Sequence, residues 1–174
     1  MRPAKSGQHA GSSQERRQYM EINPWYVSGI VDGEGSFLVS FSRRDKLSVG
    51  IEVRPSFTVS QNKRNLSVLE ELKNYFACGG IRFDSHDQTY KYEVRSLDDL
   101  IKKIMPHFDR YPLRTSKQND FEILRKICRS MKSNLHLSTN GIKEIIASAY
   151  TMNNIGARRY LKTDLLNIVG KMKV

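Results

Sequence analysis

The chain has 174 residues, 39% hydrophobic and 27% charged, and its 29 Lys and Arg against 18 Asp and Glu give a formal net charge of +11. That length supports one domain with a real core, and the charge points to a polyanionic partner, nucleic acid first and an anionic membrane surface second. Cys78 and Cys128 are too few for a four-ligand zinc site and read as reduced packing residues, no run of about 18 apolar residues is present to cross a membrane, and the N-terminus lacks the apolar core of a secretory signal.

Residues 1–20 are rich in Ser, Gly, Gln, Lys and Arg, with almost nothing to bury, and read as a loosely held arm. Residues 21–174 read as one domain. Asn23 and Pro24 mark a helix start, and the helix should run to about Gly33. From Ser36 the apolar period changes to two. Phe37, Val39 and Phe41 take one parity, and Leu38, Ser40, Ser42 and Arg44 the other. After a turn over 45–50, Ile51, Val53, Pro55, Phe57 and Val59 alternate with Glu52, Arg54, Ser56, Thr58 and Ser60. This predicts an antiparallel hairpin with one buried and one polar face. Pro55 predicts a bulge, or a position where no ladder donor is needed.

Asn62 or Asn65 then caps a helix carrying Leu66, Leu69, Leu72 and Phe76, which ends at Gly79-Gly80. A second hairpin places Ile81 and Phe83 against Tyr90, Tyr92 and Val94. Ser96 with Asp99 forms a capping box, and that helix should stop before Pro106. A helix starting near Thr115 or Ser116 carries Phe121, Leu124, Ile127 and Met131. Another follows Ser138 with Ile142, Ile145, Ile146 and Ala149, and a short one spans 161–168. The fold class is α+β, in the order αββαββα with extra C-terminal helices.

The stretch from Trp25 to Ser36 concentrates three glycines and two carboxylates on a short helix. Gly29 and Gly33 share a helical face with Ser28 beside them, and a face that small lets another backbone approach closely. Glu34 stands at the helix C-terminus, against the macrodipole, so something positive should compensate it. Val27-Ser28-Gly29-Ile30-Val31-Asp32-Gly33-Glu34-Gly35 resembles the LAGLIDADG motif of homing endonucleases, and the element order from Ile22 to Tyr150 is also that of the family. No second such stretch is present. His9, His86, His107 and His136 form no i, i+4 pair and no Cys–His cluster, which argues against zinc hydrolases and histidine-base nucleases. Gly33-Glu34-Gly35 lacks the Lys and spacing of a phosphate loop.

The resemblance implies a site-specific DNA endonuclease, intron-encoded, that makes metal-dependent double-strand breaks with short 3′ overhangs in a long pseudo-palindromic target. The alternative is an intron RNA maturase or a non-cleaving DNA-binding protein on the same fold. One motif implies a homodimer with Ser28, Gly29, Asp32 and Gly33 at the interface. Asp32 would accept backbone N–H groups at the start of the partner helix. Glu34, with the Gly33 carbonyl, would hold Mg²⁺, with Mn²⁺ as a substitute. Gln61 would orient the attacking water, Lys117 would stabilise charge at the scissile phosphate, and Lys63, Arg64 or Asn65 would organise solvent or phosphate. The polar sheet face would read double-stranded DNA through Ser40, Ser42, Arg44, Glu52, Arg54, Ser56, Thr58, Arg82, Asp84, Thr89 and Lys91, with the acids accepting from cytosine N4. Intron RNA is a possible further partner. An enzyme of this kind is expected in the cytoplasm or nucleoid of a prokaryote, or in an organelle matrix.

Overall fold

The computed structural model describes residues 22–152 and 158–171; the arm expected over residues 1–20 lies outside them. The described chain runs α1 (Pro24–Glu34), β1 (Gly35–Arg43), β2 (Ile51–Gln61), α2 (Leu66–Phe76), β3 (Gly80–Asp84) and β4 (Thr89–Val94). It continues as α3 (Leu97–Asp99), a π turn (Leu100–Ile104), α4 (Met105–Arg110), α5 (Lys117–Lys132), α6 (Thr139–Ala149) and α7 (Lys162–Lys171). The expected αββαββα order holds, with helices added after it.

The four strands form one antiparallel sheet in the order β1-β2-β4-β3. Its apolar parity is buried. Phe37, Phe57 and Tyr92 are wholly excluded from solvent, and helices cover them. Phe37 stacks on Phe57 at 5.3 Å and meets Phe108 edge-on at 5.4 Å, so α4 and both strands of the first hairpin close on one aromatic cluster. The other face of the sheet keeps the polar parity, with Ser40, Arg54 and Arg82 exposed. No helix among the described residues is long and apolar enough to cross a membrane.

Pro55 causes no bulge. Its pairing with Val39 is in continuous register, and β4 joins β2 only from Phe57 onward. One flank of β2 therefore has no strand at Pro55, and no donor is missed there. Pro106 is a correction: the helix does not stop before it but continues to Arg110. A proline inside a helix lacks its N–H and crowds the carbonyl four residues back. The π turn directly before Pro106 widens the helix and makes room.

The caps follow the sequence closely. Asn23 accepts from Trp25 N at 2.8 Å, Ser96 from Asp99 N at 3.2 Å and Ser138 from Gly141 N at 3.1 Å. Asn62, not Asn65, makes the cap before α2, accepting from Arg64 N at 3.0 Å. Gly141 at the start of α6 is dictated by space, because an added Cβ would lie 2.0 Å from the Leu135 carbonyl oxygen. Gly141→Ala is expected to cost about 1–3 kcal/mol through forced backbone displacement, read as a lower urea midpoint. Gly170→Ala, where an added Cβ meets nothing within 4 Å, is the matched control and should not lower it.

Candidate active site and nucleic-acid interface

The site is built where α1 ends and α5 begins. Gly35 follows Glu34 in extended conformation, φ −80° and ψ 160°, and its N–H returns to Val31 O. It is a glycine for want of room, since a Cβ there would lie 2.5 Å from Val31 Cγ1 and 2.7 Å from Val31 O. The chain thus turns from helix to strand within one residue, which fixes the direction in which Glu34 leaves the backbone.

Lys117, the first residue of α5, places its ammonium over the end of α1. Its Nζ donates to Val31 O at 3.3 Å, Asp32 O at 2.9 Å and Gly33 O at 2.8 Å. The Asp32 and Gly33 carbonyls are ones that a helix end leaves without intrahelical partners, while Val31 O also accepts from Gly35 N. Asp32 returns the contact. Its carboxylate accepts from Arg114 N at 2.8 Å, Thr115 N at 3.1 Å and Thr115 Oγ1 at 2.7 Å. Partial burial pushes the Asp32 carboxyl up, but the donors from Arg114 and Thr115 outweigh it and hold the group below its ordinary value. The helix that Asp32 serves is therefore α5 of its own chain. That corrects the expectation of a helix in a partner. Thr115 Oγ1 in turn accepts from Lys117 N at 3.3 Å, while Ser116 makes no cap bond.

Glu34 is exposed beside this knot and has no hydrogen-bond or ion-pair partner among the described residues. Gln61 lies at the same end of the sheet, two residues beyond Val59, which pairs with Gly35. Its Oε1 accepts from Asn65 Nδ2 at 2.8 Å, which leaves the Gln61 amide N–H groups directed elsewhere. Asn65 is thus a support for Gln61. Lys63 and Arg64 are exposed on the single 3₁₀ turn between them.

The polar sheet face carries the expected residues unequally. Ser40, Arg44, Arg54 and Arg82 are exposed, and Ser42, Glu52, Asp84, Thr89 and Lys91 partly so. Ser56 and Thr58, short side chains in a central strand, are only 9% and 8% exposed, and Ser56 lines the floor of the groove on this face. Each acid on the face is bracketed by cations. Glu52 meets Arg44 and Arg54 at 2.8 Å each, Asp84 meets Lys91 at 2.9 Å and Arg82 at 3.3 Å, and Glu93 meets Arg82 and Arg95. Hydrogen bonds from Arg54 and Arg44 pull the Glu52 carboxyl down to about 2, and the bond from Lys91 leads a similar shift at Asp84. A groove of about 450 Å³ opens along the face and the β1 edge, bordered by Ser40, Arg54, Arg82, Arg95, Arg158 and Arg159. Glu93 and Arg95 were legible from the same parity as Lys91 but absent from the expected set. Arg158 and Arg159 carry no sequence signal.

The LAGLIDADG endonuclease family model matches residues 27–128, from the glycine-bearing helix into α5. The chain belongs to the LAGLIDADG endonuclease family. It is 34% identical to the homing endonuclease I-TnaI, whose crystal structure superposes with a TM-score of 0.77 over 88% of this chain and 100% of that one. It is 32% identical to I-SmaMI bound to cleaved DNA, with a TM-score of 0.76 over 87% of this chain and 49% of that one. Among curated proteins it is 30% identical to "Probable intron-encoded endonuclease 2" of Neurospora crassa over 88% of this chain, and 28% identical to the homing endonuclease I-ApeII of Aeropyrum pernix over 83% of this chain and 86% of that one. The chain spans about a third of the length of the first of these relatives, 34%.

In this LAGLIDADG chain the motif helix has two unlike sides. Toward solvent, a Cβ added at Gly29 or Gly33 meets nothing within 4 Å, and Trp25 and Tyr26 are half exposed. Ser28, expected on that face, is instead 3% exposed and turned inward, a correction. Its Oγ donates to Tyr111 O at 2.7 Å and lies 3.2 Å from His107 Nε2, while His107 Nδ1 is 2.9 Å from Tyr75 Oη. Since the Ser28 proton goes to Tyr111, Nε2 donates to Oγ. Burial pushes the imidazole pKa down to about 4, so the ring is neutral at neutral pH and its bare Nδ1 accepts from Tyr75.

No three His, Cys, Asp or Glu side chains gather as a metal cage among the described residues. The donors on offer are the Glu34 carboxylate and the Gly33 carbonyl, the latter shared with Lys117. Mg²⁺ commonly takes one or two carboxylates and completes its shell with phosphates and waters, so this oxygen set fits such an ion as part of a site.

The unfolded chain protonates His107 near its ordinary 6.5 and the native one only near 4. Stability is therefore expected to fall as pH drops from about 6.5 to about 4, at up to about 1.4 kcal/mol per pH unit, and to gain nothing from this group above that window. Urea titrations across pH 4–7 should show that slope in the wild type and its reduction in His107→Gln.

Proposed function

We propose that the chain is a site-specific DNA endonuclease that acts as a homodimer on a long, nearly symmetric target. The observation that carries this reading is Glu34: an unpartnered carboxylate at the end of a helix locked by Lys117 and Asp32, beside an open glycine face. Two such helices packed through Gly29 and Gly33 would bring two Glu34 residues together. The DNA-bound relatives support the stoichiometry, since this chain covers 46% of I-SmaMI bound to uncleaveable DNA and 47% of I-LtrWI bound to target DNA. One copy therefore corresponds to about half of such a protein.

Each group has a task. Glu34, with the Gly33 carbonyl and their counterparts, would hold Mg²⁺ or Mn²⁺, which supplies an activated water and neutralises phosphate charge when bound. Gln61, steadied by Asn65, presents its amide to orient the attacking water. Lys117 keeps a positive charge at the end of α1 and holds the Gly33 carbonyl in place. Lys63 and Arg64 extend that positive charge toward the phosphate backbone. The polar sheet face, open and bearing arginines, is suited to the major groove, where each base pair has its own hydrogen-bonding pattern.

With Mg²⁺ the protein is expected to cut a DNA site recovered by selection on both strands, and Glu34→Gln to lose at least about a thousandfold of that rate while still retarding the same DNA in a gel. A Glu34→Gln protein that cut normally would remove the catalytic assignment. A wild type that binds intron RNA or DNA without cutting would favour the non-cleaving alternative.

The dimer has its own test. A Cβ at position 29 meets no atom within 4 Å, and replacing a helical glycine relieves about 1 kcal/mol. Gly29→Leu is therefore expected to melt no lower than wild type as a chain yet sediment as a monomer and make no double-strand breaks. A dimeric, cleaving Gly29→Leu protein overturns the proposed interface.

A further inference from the structure

The outer end of the β1–β2 hairpin holds a side-chain arrangement that the cleavage chemistry does not use. Ser42 faces Glu52 and Ser40 faces Arg54 across the ladder. Arg44 continues from β1, its N–H closing the hairpin onto Gly50 O at 2.9 Å. The nine steps from Gly35 to Arg44 put this cluster ~30 Å along the strand from Glu34, at about 3.4 Å per residue.

Here one carboxylate oxygen collects three donors. Glu52 Oε2 accepts from Arg44 Nε at 2.8 Å, Arg54 Nη2 at 2.8 Å and Ser42 Oγ at 3.4 Å. The carboxylate sits lower than its partners: its side chain is 32% exposed, against 57% for Arg44 and 49% for Arg54. A groove wall settling on this face meets guanidinium before carboxylate. That argues against Glu52 as a reader of cytosine.

The two arginines are held differently. Arg44 gives Glu52 only its Nε, so the terminal Nη1 and Nη2 groups stay paired as a free fork whose plane the Nε contact fixes. Arg54 gives Glu52 one of its two terminal nitrogens, Nη2, so its fork is shared with the acid. On the second hairpin Arg82 is tied through both Nε to Glu93 and Nη1 to Asp84, at 3.3 Å each, and Arg95 through Nη2 to Glu93 at 3.0 Å. Lys91 lies between Asp84 and Asp87 at 2.9 Å each. Among the described residues, Arg44 is thus the arginine of this face whose Nε is anchored to an acid while both terminal nitrogens stay uncommitted. A guanidinium fork donates in parallel to guanine O6 and N7, a pattern no other base edge offers in the major groove.

We propose that Glu52 is a positioning residue that orients Arg44 to read a guanine toward the outer end of each half of the DNA target. The inference rests on the reading of the chain as a site-specific DNA-binding endonuclease. Arg54 and Ser42 complete the cradle, and the Nε and Nη1 groups of Arg54 are left for a base acceptor or a phosphate.

The test is selection from a pool of double-stranded DNA with randomised positions, without Mg²⁺ so that no DNA is cut, for wild type, Glu52→Gln, Arg44→Lys and the double variant. Glu52→Gln keeps the shape of the side chain and removes the charge that holds both guanidiniums. Arg44→Lys keeps the positive charge and removes the planar fork. Wild type should enrich guanine about tenfold at one position, roughly nine base pairs from the centre of each half-site pair at about 3.4 Å per base pair. Each single variant should reduce that preference to near twofold at that position, and the double variant should go no further. An unchanged guanine preference in Glu52→Gln, or in Arg44→Lys, overturns the proposal, as does a Glu52→Gln profile that loses a cytosine while Arg44→Lys leaves it intact. A wild type that enriches no sequence overturns the DNA-reading function itself and this inference with it.

Discussion

A reciprocal clamp between two helix ends organises the site. The carboxylate of Asp32, on the last turn of α1, takes N–H groups where α5 begins, and the ammonium of Lys117, on the first turn of α5, takes carbonyls where α1 ends. Each charge meets the helix terminus of opposite partial charge, a contact worth about 0.3–1 kcal/mol on a surface and up to ~2 when partly buried. Together they define where Glu34 stands. The acid that opposes its own helix dipole is tolerable because a cation already caps the carbonyls beneath it.

The same helix separates two demands on opposite sides. Inward, Ser28 joins His107, Tyr75 and Tyr111 in a closed polar chain in which every proton has a recipient. Outward, Gly29 one residue later presents bare backbone. A satisfied buried network resists sliding or rotation of the helix, because any shift would leave a buried donor unmet. The open face is held in register by what lies behind it. Glycine serves here by leaving space, whereas Gly35 and Gly141 serve by fitting where a Cβ cannot.

On the sheet, charge is arranged in alternation and not simply accumulated. Acids pin cations in place, so the face offers oriented donors as well as attraction. Mobile cations alone would bind any phosphate backbone with the same salt dependence. Fixed guanidiniums can discriminate among base edges.

Much of this was legible along the chain. The period-two runs around Phe37 and Phe57, the caps at Asn23, Ser96 and Ser138, and the polar parity from Ser40 to Lys91 all follow from local rules, since side-chain alternation and cap bonds involve residues a few positions apart. The motif from Val27 to Gly35 identified the family for the same reason. Pro106 was misread because a π turn upstream compensates it, and nothing local announces that turn. The recipients of Asp32 and Lys117, the inward turn of Ser28 and the shielding of Ser56 and Thr58 belonged to the tertiary structure. Asp32 and Thr115 are 83 positions apart, and Ser28 and His107 79. Such contacts depend on how finished helices and strands pack, which fixes distances that no local periodicity encodes. The sequence by itself determined the elements, their buried faces and the family to which the chain belongs. Only the packed chain decided which charges meet, because electrostatic partners are chosen by proximity in space.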